Sequence, residues 1–182
     1  DPWVTFSPSG TAFQMALAFN VGSLQPGSNS AMLVARSSDG GRTWSTATPL
    51  IVSGSDFFND KNAITADPTD ARYVFAVWDR LARAGGGPAL LARTTDGGAS
   101  WEAATVIYDP GPQSQTIGNQ VVVLTLPSLE GESIEGFATR VFDEWKLGQK
   151  GKDNGVLVIV APNDRRMRIE VGYGLEGTLT DA

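Results

Sequence analysis

Two groups of residues in this chain have types and spacings suited to chemistry, and both are built from oxygen. Asp153, Asn154, Glu176 and Asp181 fall in polar stretches near the carboxy terminus, with Gly172, Gly174 and Gly177 supplying tight turns among them. Carboxylate and amide oxygens suit a hard cation such as Ca2+ or Mg2+, and a bound ion of that kind can orient a phosphate ester and a water. The competing reading is that these residues cap strand ends and turns. The second group occurs twice. Ser37-Ser-Asp-Gly-Gly-Arg-Thr-Trp44 is answered by Thr94-Thr-Asp-Gly-Gly-Ala-Ser-Trp101, with Asp39 and Asp96 lying 57 residues apart. Asp39 and Asp96 can accept hydrogen bonds from the N–H groups of their own turns. Gly41 and Gly98 permit positive φ there, and Trp44 and Trp101 are expected to anchor each hairpin in an apolar layer. The chemistry these boxes predict is turn closure, not catalysis.

What the chain lacks narrows the remaining possibilities. Its 182 residues contain no Cys and no His. Disulfides, thiolate nucleophiles, Cys/His zinc sites, histidine-assisted serine chemistry and haem ligation by His are therefore excluded. A net charge of −6 argues against a nucleic-acid partner, which calls for a basic footprint. No apolar run is long enough for a transmembrane segment. The start, Asp1-Pro-Trp-Val4, has neither the basic nor the apolar region of a signal peptide. Gly172-Tyr-Gly-Leu-Glu-Gly177 follows a strand pattern but no helix start follows it, so nucleotide binding is not expected. Asp56, Asp60 and Lys61 fall where loops should lead into the second repeat. They are weak ligand-loop candidates beside the plainer reading of turn caps and solvated charges.

The elements that must position these groups follow from hydrophobic patterning. Strands are predicted over 3–6, 12–19, 31–36 and 48–52, then over 63–66, 73–78, 89–93 and 104–108. Short antiparallel strands, four to a repeat, are the make-up of a propeller blade. From about Gly118 the pattern changes. Residues 120–126 read as a buried strand and Pro127-Ser-Leu-Glu-Gly131 breaks it. Ile134, Phe137, Ala138, Val141, Phe142 and Trp145 then share one face of a helix, with Ser133 as N-cap. Further strands are predicted over 156–160 and 167–171, so that a parallel pair is covered by a helix. The fold expected is mixed and β-rich: two antiparallel β-propeller-type blades over residues 1–117, then a partial α/β sandwich over 118–182. Two blades leave open sheet edges, which makes self-association a further expectation.

The twin boxes resemble the Asp-box (BNR) repeat of sialidases and related exo-glycosidases. That resemblance implies a fold-stabilising hairpin at the blade periphery, made here by Asp39, Gly41, Trp44, Asp96, Gly98 and Trp101, away from any active site. Sialidase catalysis calls on arginine, tyrosine and acidic residues from several blades, more than two blades supply. Three later blocks, Leu126-Pro-Ser-Leu-Glu-Gly-Glu-Ser-Ile134, Trp145-Lys-Leu-Gly-Gln-Lys-Gly-Lys-Asp-Asn-Gly-Val-Leu157 and Arg168-Ile-Glu-Val-Gly-Tyr-Gly-Leu-Glu-Gly177, resemble the TPM domain. This second resemblance implies an extracytoplasmic setting and a small α/β sandwich, with members described as acid phosphatases and members that bind calcium. The chain therefore reads as a composite of the two families, joined within Gly118-Asn-Gln-Val-Val-Val-Leu124. The expected function is that of a non-catalytic extracytoplasmic-type composite binding a divalent cation, Ca2+ or Mg2+. A TPM-type metal-dependent acid phosphatase is the first alternative, and sialidase-like glycan binding or hydrolysis the second. The ligands these readings imply are a glycan or a phosphate ester.

Overall fold

Alternation of side chains along the first two thirds of the chain becomes two four-stranded antiparallel meanders in the structure, a computed structural model that describes residues 2–147 and 156–171. The first sheet contains β1 (Trp3–Phe6), β2 (Ala12–Phe19), β3 (Ser30–Ser37) and β4 (Thr48–Ser53), in that spatial order. The second contains β5 (Phe57–Ala66), β6 (Val74–Ala82), β7 (Ala89–Thr94) and β8 (Thr105–Tyr108), again in sequence order. Both belong to one compact unit, Asp1–Val121; the second unit is Val122–Ala182.

Within the first unit the period of two puts Phe13 and Met15 of β2 on the same face as Met32 and Val34 of β3. These side chains are buried against Ile64, Ala66, Val74, Ala76, Trp78, Leu90 and Ala92 of the second sheet. One polar residue is tied into this apolar seam from several sides. Asn59, fully buried, donates through Nδ2 to Ser30 Oγ (3.1 Å) and Ser53 Oγ (3.0 Å), and its backbone N–H donates to Ser30 Oγ (3.1 Å). Its Oδ1 accepts the indole N–H of Trp78 at 3.1 Å. Four strands, two from each sheet, therefore meet at a single satisfied amide.

β5 starts earlier than the sequence pattern predicts, at Phe57 instead of 63. Asn59 and Asp60 pair with Arg80 and Asp79 of β6, and a bulge between Asp60 and Ala63 restores the alternation, with Lys61 at φ 46°. Asp60 and Lys61 are therefore strand residues and not part of a ligand loop. Asp56 lies in the turn before β5, with Arg83 Nε at 3.7 Å.

The second unit contains β9 (Val123–Thr125), helix α1 (Ile134–Trp145), β10 (Val156–Ala161) and β11 (Arg166–Val171), the sheet order being β11-β10-β9. β9 and β10 are parallel and β10 and β11 antiparallel. Ser133 caps α1 by accepting the Gly136 N–H at 3.1 Å, and the helix ends where Lys146 turns left-handed at φ 52°. Ile134, Ala138 and Val141 bury the helix's apolar stripe with Leu157, Ile159 and Ala161 of β10. Asp164 ties the β10–β11 turn to the helix approach, accepting from Ser128 Oγ at 3.0 Å and from the Leu129 N–H. The fold is thus mixed and β-rich, and no described helix is long and apolar enough to cross a membrane.

Replacing Asn59 by Ala strands the Trp78 indole N–H and the Ser53 hydroxyl in a dry seam and leaves Ser30 Oγ with only the backbone N–H of residue 59. Urea unfolding should show a loss on the order of 3 kcal/mol, against about 1 kcal/mol for Ser53→Ala, which removes one bond. Equal losses for the two variants would rule out a hub at Asn59.

Candidate functional site

Each box turn is closed by its own aspartate. Asp39 Oδ1 accepts the N–H groups of Arg42 (3.0 Å) and Thr43 (2.9 Å), while Oδ2 accepts the Thr43 hydroxyl at 2.6 Å. The second turn repeats this with Ser100, whose N–H reaches Asp96 Oδ1 at 2.9 Å and whose hydroxyl reaches Oδ2 at 2.6 Å. These donors hold the Asp39 carboxyl down at about 2, the Thr43 hydroxyl contributing most, and hold that of Asp96 well below the usual carboxylate range through Ser100. The first residue of each box has a role the sequence reading missed. Ser37 and Thr94 are buried; each donates to its aspartate at 2.8 Å and accepts a glycine N–H at 2.9 Å, from Gly41 and Gly98 respectively. The motif's initial Ser/Thr was the available signal for that hydroxyl.

The two turns differ in what covers them. Gly98, at φ 81°, sits so close to the first sheet that an added Cβ would lie 2.7 Å from Phe13 Cε1 and 3.6 Å from Arg36 Cδ. Arg36 Nη1 donates to Gly97 O at 3.1 Å, and Trp101 packs against the inter-sheet core. Gly41, at φ 86°, meets only Trp44, with Cζ2 at 3.8 Å. Trp44 is 39% exposed, its indole N–H closing onto Gly41 O at 3.1 Å. The expectation that both tryptophans anchor in an apolar layer therefore fails for Trp44, which closes onto its own turn while Trp101 packs against the inter-sheet core. Beside Trp44 lies an open groove of about 450 Å3, lined by Thr11, Arg36, Ser38, Thr43, Trp44 and Ser45.

A third acid, not singled out from the sequence, is buried. Asp79 of β6 is 1% exposed and accepts from Thr116 Oγ1 at 3.3 Å and from the Asn119 side-chain amide. Burial pushes its carboxyl up to about 6 against the bonds from Thr116, Gly118 and Asn119, and the Asp60 charge adds to the rise. Thr116 also binds Gly87 O, through its N–H at 2.8 Å and its hydroxyl at 3.1 Å. Gly87 admits this crossing because it lacks a Cβ, which would lie 2.6 Å from Gln115 Cβ. Asp79 lies far in sequence from the segment it holds, so no local pattern marks it.

The candidate metal residues Asp153, Asn154, Glu176 and Asp181 lie outside the described residues. Among the described residues no cluster of three or more His, Cys, Asp or Glu side chains could hold a metal ion. Asp56 and Asp60 are not drawn into one site with the boxes.

Residues 113–182 match the family model of the TPM domain. Among solved structures the chain is similar to Hadza microbial sialidase Hz136, at 19% identity and a TM-score of 0.44, over 63% of this chain and 25% of that one. The chain thus spans about a quarter of that sialidase's length, and at this level of likeness nothing about activity transfers. No curated protein matches the chain. The family match thus covers the later part of the chain, 113–182. The TPM match begins at 113, earlier than the boundary at 118 expected from the sequence, and its first residues fold within the unit ending at Val121.

Two outcomes test this geometry. Gly41→Ala should lose about 1–2 kcal/mol for its left-handed φ alone. Gly98→Ala should lose a further 1–3 kcal/mol, roughly, through collision with Phe13. Denaturant titration compares them, and equal losses would mean that the second turn is not seated. For Asp79 the folded state holds its proton more tightly than the unfolded chain. Its contribution to stability is therefore full below about pH 3.8 and lost as pH rises through about 6. Unfolding midpoints across that window should fall with pH in the native chain and fall distinctly less in Asp79→Asn.

Proposed function

We propose that this chain is a non-catalytic, extracytoplasmic-type composite: two Asp-box blades of propeller type serving as scaffold, joined to a partial TPM module that binds a divalent cation. The observation that carries the non-catalytic reading is where the carboxylate lone pairs go. Asp39 and Asp96 direct both oxygens into their own turns. Asp79 is committed to Thr116 and Asn119. Acids engaged in this way are poor general acids or nucleophiles, because function would break the fold. The TPM match over 113–182 supports the extracytoplasmic setting and directs the search for a cation to Asp153, Asn154, Glu176 and Asp181, with Ca2+ or Mg2+ as the ions their oxygens suit. Association of copies through open sheet edges belongs to the same reading.

A calcium titration read by thermal unfolding tests it. At a tenfold excess over Kd the ion should add about 1.4 kcal/mol of stability, a rise on the order of 5–10 °C for a domain of this size. Asp153→Ala should abolish the rise, and no rise at millimolar Ca2+ or Mg2+ would remove the cation from the proposal. The TPM match also favours a second reading, a metal-dependent acid phosphatase. Turnover of p-nitrophenyl phosphate that disappears in Asp153→Ala would establish that reading in place of the first. Turnover of a fluorogenic sialoside would instead point to glycan hydrolysis by the blades. We expect neither.

A further inference from the structure

The apolar run of residues 120–126 has the composition of a full strand, yet β9 occupies only Val123–Thr125 of it. The pairing of β9 shows where the rest of the run belongs. Val123 stands opposite Val158 and Thr125 opposite Val160 in a parallel ladder. The same register sets Val121 opposite Val156, the first residue of β10, with the Val122 N–H donating to the Val156 carbonyl. β-branched residues such as Val121 and Val122 favour a place in a sheet.

The residues just before them are held elsewhere. Gln115 bridges to Gly87, the Thr116 N–H donates to Gly87 O at 2.8 Å, and the Asn119 amide donates to the Asp79 carboxyl. With Asn119 held at Asp79, pairing with β10 begins only at Val123.

This clasp is built to keep a proton. Thr116 has one hydroxyl proton and two acceptors before it, Gly87 O at 3.1 Å and Asp79 Oδ1 at 3.3 Å. A proton on Asp79 resolves that competition: the acid donates to Thr116 Oγ1, and the hydroxyl donates to Gly87 O. The surroundings act in the same sense. Asp79 is buried, and its cross-strand partners are Asp60 of β5, a like charge on the same face, and Ala89 of β7. Lys61 follows Asp60 in the bulge, Arg80 lies on the opposite face over the Phe57 ring, and Gln115-Thr-Ile-Gly-Asn119 brings no titratable side chain. Released into water, Asp79 regains the solvation that favours its charge.

We propose that residues 115–122 form a strap with two positions. In the closed one Asp79, protonated, clasps Thr116 and Asn119 to β6; in the open one the clasp is released and Val121 and Val122 extend β9 along β10. Loss of the Asp79 proton shifts the strap from the first position to the second. The closed strap holds that proton with a pKa of about 6 and the open one with the ordinary 3.8. The open fraction therefore rises with pH, about tenfold between pH 5 and pH 7.

Amide hydrogen exchange of the full chain tests this, expressed as protection factors so that the intrinsic pH dependence of exchange cancels. Protection at Thr116 should fall about tenfold from pH 5 to pH 7, while Ala76, in the core of the second sheet, stays better protected at both. In Asp79→Asn the protection at Thr116 should not change with pH. Val122→Pro removes the N–H that only the open position uses, and should raise Thr116 protection about fivefold. If Asp79→Asn fails to fold, Asn119→Ala loosens the clasp without touching β6, and Thr116 protection should fall about fivefold. Constant protection at Thr116 across the pH range would overturn the proposal, and so would an Asp79→Asn chain that follows the native one or an Asn119→Ala chain with native protection. Equal protection at Thr116 and Ala76 would mean global unfolding in place of a strap. A Val122→Pro chain without the rise would mean that the segment frays without joining β9.

Discussion

The first unit depends on a buried amide. Two apolar sheet faces would pack in several offsets with similar burial, because apolar contact carries little direction. Asn59 removes that freedom. Its donors and acceptor are matched at once only where Ser30, Ser53 and Trp78 converge on it, and a mismatch would leave several dry polar groups unpaired. With the offset fixed there, Gly98 comes to rest on Phe13 and Arg36 comes within reach of the Gly97 carbonyl. The seating of the second box is thus a consequence of a polar contact at another point of the seam.

Three aspartates show how environment divides one side chain among opposite tasks. Asp39 and Asp96 lie in solvent-facing turns and gather donors that favour the charged form. Asp79 is enclosed, and desolvation outweighs the donors it gathers. What it secures is the segment from Gln115 to Asn119, which threads past Gly87. This explains why the family boundary at 113 and the unit boundary after Val121 do not coincide. The intervening residues match the TPM family by sequence, yet their hydrogen bonds are made to the second sheet.

Features that depend on near neighbours were legible in the sequence. The helix from Ile134 with its Ser133 cap, the strands and the box turns all rest on periodicity or on residues a few positions apart. Asp79 could not be read, since Thr116 and Asn119 meet it only through the path of the chain. The start of β5 was missed because Phe57-Phe-Asn-Asp-Lys-Asn62 has no alternation, the bulge at Lys61 having absorbed it. For the candidate cation residues only oxygen type and glycine spacing were legible, which suggest a ligand set without placing it.

The contrast between Trp44 and Trp101 marks a limit of another kind. The two boxes share their sequence, their turn and their hydrogen bonds, so everything local predicts the same fate for both. What differs is the sheet in front, and no box encodes its own cover. In a chain of stacked repeats each unit completes its neighbour, as Phe13 and Arg36 of the first sheet complete the second box turn. The repeat thus specifies how one sheet receives the turn of the next, while its carboxylates are engaged within their own turns.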